Sequence, residues 1–421
     1  MNKKILFLLL VTAFLLLPEI SAEAKKIKWS SIKDEAVKQS IESYYSMNID
    51  GNGYFETDEV KYLNLSRLKS TDDLKIFPNL EKLFISEDHD FGYKNVLKSI
   101  DISGNKKLKI LSVSNCSLIK KLNVSKNTKL EELNIHGCNK ITSLDLSKNE
   151  MLKKLNVISA GISKLDISKN HLLEILCLRD MDMEKLFFPK SNNLKRIILL
   201  GCKKIKGVDV SNYSNLVELN LNGTSVSKLD VSKNKKLKYL DVANTKVKGI
   251  DVTKNNKLYM LYCHNTAICN LDLSNNPKLS YLWVYNTKIK KLDVSRHHVS
   301  TIHFSPQTLT DLKLYPKSKI PTSKYFTYDY ILYFHVDEKI DVDVSKYYDV
   351  KGWQETDKID GIDYYSKFNS KTGIFSISDF EKYKKSGETA LNIRKGKRRL
   401  LIEFLASWGE WACSTNENMH P

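Results

Sequence analysis

Residues 48–59 read NIDGNGYFETDE. Calcium in a twelve-residue helix–loop–helix site takes oxygen ligands from places 1, 3, 5 and 12 and a backbone carbonyl from place 7, with glycine at 6 for the turn. Asn48, Asp50, Asn52, Glu59, Tyr54 and Gly53 fill those places in order. The loop is thus EF-hand-like and is expected to hold one structural Ca2+. Asn48 stands where aspartate is usual, so the expected affinity is weak, about 10⁻⁴–10⁻³ M. A second set of residues points to binding rather than coordination. In SYLWVYNTKI (280–289), Tyr281, Trp283 and Tyr285 alternate with Leu282 and Val284. On a strand this places three aromatic rings on one face and the aliphatic residues on the other.

Residues suited to catalysis are scarce. The sequence holds no HExxH, GxSxG, Walker loop or GxGxxG. The 7 Cys form no CxxC pair, and the 9 His are scattered apart from His297, His298 and His303 in SRHHVSTIHF. Those three read either as a transition-metal site or as a worn final repeat, and the repeat reading is the stronger. The expected protein is not an enzyme.

What must position these residues is a repeat. Leu229, Ile250, Leu271 and Leu292 open segments 21 residues apart, and a typical unit is LDVSKNKKLKYLDVANTKVKG (229–249). Its LKYLDVANTKV matches LxxLxLxxNxL with threonine in the asparagine place, the signature of a leucine-rich repeat. About ten such units run from residue 100 to 314. One unit cannot bury its leucines alone, so stacked units share a core with a parallel sheet on the concave side. Places 1, 4, 6 and 11 point inward. The segment LDVSKN returns along the convex side. Its Asn127, Asn149, Asn170, Asn234 and Asn255 suit turn and backbone hydrogen bonds, and its aspartates suit turns rather than catalytic pairs. Units 186–207 and 208–228 depart from the pattern, with FFPKSNN and VDVSNYS. The ninth place carries Cys116, Cys138, Ala160, Met181, Cys202, Thr224, Thr245, Thr266 and Thr287. Reduced, buried thiols acting as small hydrophobes are expected there.

The short units, the LDVSKN segment and the cysteine in the asparagine place resemble the internalins, bacterial surface proteins with leucine-rich repeats. The likeness covers about half of the chain. It implies export, a non-enzymatic role, and adhesion through the repeat domain. The start of the sequence agrees with export: Lys3 and Lys4, an apolar run from Ile5 to Leu17, and the small-residue site Ala22-Glu23-Ala24 form a secretory signal.

Repeat geometry then places the aromatic residues. Places 3, 5 and 7 face outward on the concave sheet. They gather Tyr239, Tyr262, His264, Tyr281, Trp283, Tyr285 and His303 on neighbouring rungs, with Tyr259 adjacent at place 2. Exposed apolar clusters of this kind mark binding surfaces, and Tyr and Trp are favoured anchors of interfaces. Ile158, Ile175, Ile198 and Leu200 form a smaller aliphatic patch edged by Arg179, Arg196 and Lys195. Cover by the C-terminal segment and plain sheet stabilisation are the other readings of the aromatic residues.

The expected fold is an α/β solenoid, mostly β with short turns and a concave parallel sheet. The divisions are a signal peptide (1–24), a helical cap with the EF-hand-like loop (25–66), the solenoid (67–315) and a small all-β domain (316–421). In that last domain TALNIRKGKRRLLIEF reads as a hairpin turning between Arg394 and Arg399. The expected ligand is a protein or glycoprotein, with a glycan or cell-wall polymer as the alternative. A formal charge of +18 favours anionic surfaces, but export argues against nucleic acid. No segment after the signal could span a membrane. A monomer, secreted or held at a bacterial cell surface, is expected.

Overall fold

The computed structural model describes residues 26–45, 53–87, 96–296, 299–305, 308–309 and 311–314 in full, and the backbone of strands between Tyr330 and Ala406. Parallel strands stack in unshifted register from Tyr62–Ser66 through Lys82–Ser86, Ile110–Ser114, Glu132–His136, Lys154–Ile158 and Ile175–Arg179 to Arg196–Ile198. Glu218–Asn220, Tyr239–Asp241, Met260–Tyr262, Tyr281–Trp283 and Thr301–Phe304 continue the series. The sheet begins at Tyr62, inside the segment the sequence assigned to the cap.

The inward places behave as the repeat requires. In one unit Leu237, Leu240, Val242 and Val247 are all buried. Leucines of successive rungs lie in register and exclude water from one continuous core. The ninth place closes the bend. Thr224, Thr245, Thr266 and Thr287 each donate a hydroxyl to the carbonyl three residues earlier, at 2.6–2.7 Å. Cys116, Cys138 and Cys202 are buried free thiols, as expected, and donate to nearby carbonyls. Burial pushes the Cys202 thiol up to about 12, so it stays protonated and unreactive.

The eighth place was not recognised from sequence. Arg67, Asn115, Gly137, Ser159, Asp180, Gly201, Gly223, Asn244, Asn265 and Asn286 all sit there with φ between 51° and 72°. These ten rungs turn out of their strands through one left-handed residue, which explains the run of Asn, Gly and Asp.

The convex segment is held by an asparagine spine. Asn105, Asn127, Asn149, Asn170, Asn234, Asn255 and Asn276 are fully buried. Each amide nitrogen bridges two carbonyls of the preceding rung; for Asn149 these are Val124 O (3.0 Å) and Asn127 O (2.9 Å). The amide oxygens of these residues have no partner. A primary amide supplies two donors without a charge, which is what two converging carbonyls need. The LDVS aspartates form turns: Asp145, Asp166, Asp230, Asp251, Asp272 and Asp293 each accept the backbone N–H two residues on.

A cap covers the first rung. Helix Glu35–Tyr44 starts at Asp34, whose Oδ1 accepts from Ala36 N and whose Oδ2 accepts from Lys69 N and Ser70 N. Ala36, Val37 and Ile41 are buried, while Tyr44 is exposed and packs edge-on against Tyr62. Ser40 Oγ accepts from Asn64 N, and the Tyr45 hydroxyl accepts from Lys61 N and Tyr62 N. The otherwise open edge of strand Tyr62–Ser66 is thereby occupied.

At the other end, the described residues after 315 form strands, as expected, but four of these strands join the solenoid sheet. Tyr330–Val336 pairs in parallel with Thr301–Phe304, and Arg398–Ala406 pairs with Tyr330–Val336. Ala390–Lys395 then folds back antiparallel with Lys395 opposite Arg398, forming the expected hairpin, and Gln354–Glu355 lies beyond it. A 16-stranded sheet results. Asp341–Asp343, Ile374–Ile377 and Ser366–Asn369 form a separate antiparallel sheet. The physical reason for the continuity is that the last rung leaves unpaired backbone groups, and antiparallel closure ends the stack.

Candidate ligand-binding face

Four neighbouring rungs carry the aromatic residues. The register sets Asp241, Tyr262, Trp283 and His303 side by side across the strands. Ring centroids are 4.6 Å apart for Tyr262–Trp283 and 4.3 Å for Trp283–His303, with planes tilted by 33° and 36°. His264 stacks on Tyr285 at 4.4 Å and 17°, and lies 5.3 Å from Trp283. Along one margin Tyr239, Tyr259 and Tyr281 meet edge to face at 6.3 and 5.4 Å. The eight rings named from sequence therefore form two contact groups on neighbouring rungs, five around Trp283 and three along the margin.

Exposure divides them. Tyr239, Tyr259, Tyr262, Tyr281, Trp283 and Tyr285 are half-buried, whereas His264 and His303 are only 6% exposed. The histidines thus lie beneath the shelf, packed among its rings, rather than on it. Burial holds the His264 imidazole down at about 4, so it is neutral at physiological pH, and its Nδ1 has no partner. The rung Thr301–Phe304 is buried on both faces, so the shelf is closed at its C-terminal end and open over rungs 239–285.

Asp241 borders the cluster one rung before Tyr262. Its carboxylate accepts from Ala243 N (2.9 Å) and Asn222 Nδ2 (3.1 Å). Desolvation nevertheless raises its pKa to about 6. From Asn222 an amide chain runs along the rim, Asn222–Asn244–Asn265–Asn286, at 2.7–2.9 Å per link, and Asn286 Oδ1 accepts from Ser305 Oγ. This rim fixes the left-handed turns beside the shelf.

The aliphatic patch lies on earlier rungs, with Ile158, Ile175, Ile198 and Leu200 half-buried. Charges beside it cancel: Lys154 pairs with Glu132, and Arg196 with Glu218.

The calcium loop lies partly outside the described residues: Asn48, Asp50 and Asn52 are among those not described, while Tyr54 and Glu59 are. The described part fits an ion-centred loop. Gly53 takes the left-handed conformation (φ 76°) that place 6 requires, and Phe55 at place 8 is buried against Trp29. Tyr54–Glu56 forms a short strand with Lys26–Lys28, and Thr57–Glu59 forms a single 3₁₀ turn where a helix was expected. His297 and His298 lie outside the described residues, as does the signal segment. Among the described residues no cluster of three His, Cys, Asp or Glu side chains could hold a metal ion, and no helix is long and apolar enough to cross a membrane.

No protein family and no curated protein matches the chain in sequence. The fold is similar to the functional domain of InlJ from Listeria monocytogenes, whose structure is described as including a cysteine ladder. Identity is 15%, with 91% of this chain and 99% of that one covered and a TM-score of 0.55. The internalin InlF from L. monocytogenes strain 4b F2365 is 16% identical over 67% of this chain and 89% of its own, with a TM-score of 0.45. An identity of 15% speaks to fold alone, and the likeness to the InlJ domain supports a leucine-rich-repeat solenoid of internalin-like form.

Proposed function

We propose that the chain is an exported, non-enzymatic recognition protein that binds a protein or glycoprotein ligand on its concave face, in the manner of an adhesin. The observation that carries this reading is the contiguous, half-exposed ring cluster centred on Trp283. Places 3 to 7 span about 13 Å along the strands, and three rungs span about 10 Å across them. That is far smaller than the roughly 800 Å² each partner buries in a standard interface. The cluster therefore acts as a hot spot, and the aliphatic patch at Ile175 and Ile198 extends the contact.

Ring orientation favours protein over glycan. A sugar stacks its C–H face on an open ring face. Tyr262 and His303 pack on Trp283 from the rungs on either side, so Trp283 offers its edge. Edges and hydroxyls suit a polypeptide with apolar anchors and hydrogen-bonding groups.

The test is capture by the immobilised protein and by its Trp283→Ala/Tyr262→Ala variant, both checked for folding, from host glycoproteins and from microbial wall polysaccharides. A protein partner held by the parent and lost by the variant supports the reading. Equal capture by both refutes it, and capture of polysaccharide alone selects the glycan alternative. The loop at 48–59 is proposed to bind Ca2+ through Asn48, Asp50, Asn52, Glu59 and the Tyr54 carbonyl, and to stiffen the cap rather than to signal.

A further inference from the structure

The convex side changes character at the two units that break the LDVSKN pattern. Strand Lys185–Phe187 pairs in parallel with Lys164–Asp166 on one side only. Lys185 N–H and Phe187 C=O both bond toward that neighbour. Alternation in a parallel ladder turns the Leu186 N–H and C=O the other way. The next rung, residues 206–208, forms no backbone hydrogen bond to Leu186. The sequence departs from the repeat at the same place. Phe187-Phe188-Pro189 replaces the usual Asp-Val-Ser turn, and Tyr213 stands where other rungs have the spine asparagine. The Tyr213 ring packs beneath Phe188, and its hydroxyl donates to Pro189 O at 2.8 Å.

Between these rungs lies a cleft of about 550 Å³ with Leu186, Phe188, Ile205 and Val208 in its lining. This falls in the size range of ligand sites. Phe187, between Leu186 and Phe188 in the chain, is 53% exposed. Lys203 and Lys206 also line it. Lys204 beside them is engaged by Asp182 and Glu184, but Lys203 and Lys206 have no ion pair among the described residues. Open edge, apolar floor and uncompensated cations thus occur together, on the side opposite the aromatic shelf.

We propose that this cleft is a second docking site, which takes an extended acidic peptide segment of a protein partner by strand addition. The segment's backbone pairs with the outward N–H and C=O of Leu186. One apolar side chain enters between Phe188 and Val208, and flanking carboxylates face Lys203 and Lys206. This is the β-augmentation mode, in which main-chain bonds supply affinity and pockets supply specificity.

The test uses the full chain and a fluorescein-labelled peptide, DEVLVED, read by fluorescence anisotropy. Binding is expected. It should weaken about tenfold in the Lys203→Glu/Lys206→Glu variant, as two exposed ion pairs turned repulsive would give. It should also be lost for the same peptide N-methylated at alternate amides, which cannot pair with an edge. Both lysines are exposed, so an unchanged melting temperature will show that the variant is folded. Failure of DEVLVED to bind, or equal binding by the charge-reversed variant or the N-methylated peptide, overturns the proposal. So does equal binding of polyglutamate, which would make the site a generic anion patch.

Discussion

Replacing Asn149 tests the spine most directly. Asn149 is fully buried, and its amide bridges Val124 O and Asn127 O. Each of those carbonyls also accepts a backbone N–H, from Asn127 and Leu130. In Asn149→Ala they therefore lose a second donor rather than their only one. Two hydrogen bonds and a small void give about 2–3 kcal/mol. Asn149→Asp keeps the shape and replaces the NH₂ by an oxygen facing two carbonyl oxygens. An unpaired buried charge costs more, about 3–5 kcal/mol. That carboxylate would have a raised pKa, so the defect should be largest above pH 7 and shrink as pH falls toward the unfolded value. Asn123→Ala is the control, because Asn123 is exposed and accepts only the Ser125 N–H. Urea unfolding, followed by far-UV circular dichroism at pH 5 and pH 8, measures all three. If Asn149→Asp is no worse than Asn123→Ala, or its defect grows on acidification, the bridging account of the spine is wrong.

Other expectations follow from the same geometry. Gly137→Ala should lower the melting temperature by about 3–6 °C, because φ is +64° there and the new methyl would lie 2.7 Å from Asn115 Oδ1. Gly207→Ala, with nothing within 4 Å, should leave the melting temperature unchanged; equal effects would refute the role of the left-handed turn. Acid should destabilise the solenoid in two steps. His264 is held near 4, below its ordinary 6.5, so its contribution is present above 6.5 and lost as pH falls through 4. Asp101, lowered to about 2 chiefly by Ser103 hydrogen bonds, and the other turn aspartates contribute above about 3.8 and lose that contribution toward pH 2. His264→Leu should remove the first step in pH-dependent melts and spare the second. Asp241 runs the opposite way: with its pKa raised from 3.8 to about 6, it costs stability as pH rises from 3.8 to about 6, so Asp241→Asn should gain on the parent across that range. Calcium should raise the melting temperature of the parent and not of Asp50→Ala; an equal response would remove the ion from the loop.

The repeat was legible because the side-chain period and the 21-residue spacing reinforce each other in every unit. That fixed the inward leucines, the concave face and the ring positions from Tyr239 to His303. What escaped notice depended on backbone conformation or on neighbours distant in sequence. Asn115, Gly137 and Asp180 look unrelated as letters, yet share one left-handed turn. A column of Asn, Gly, Ser and Asp just before the ninth place was the signal that could have found it. The burial of His264 and His303 depends on how rings lean across rungs, which periodicity does not encode. The sheet's continuation into Tyr330–Val336 follows from an open edge seeking partners, a property of the assembled stack rather than of either segment.

The spine amides also have a direction. Asn127 reaches back to Ile102 O and Asn105 O, Asn149 to Val124 O and Asn127 O, and Asn276 to Val252 O and Asn255 O. Every donor lies later in the chain than its acceptors. A turn that leaves the ribosome finds its anchoring carbonyls already in place. No turn's amide waits on residues still to come. The solenoid can therefore grow from its capped first rung as the chain is delivered, and the antiparallel hairpin, arriving last, stops the growth.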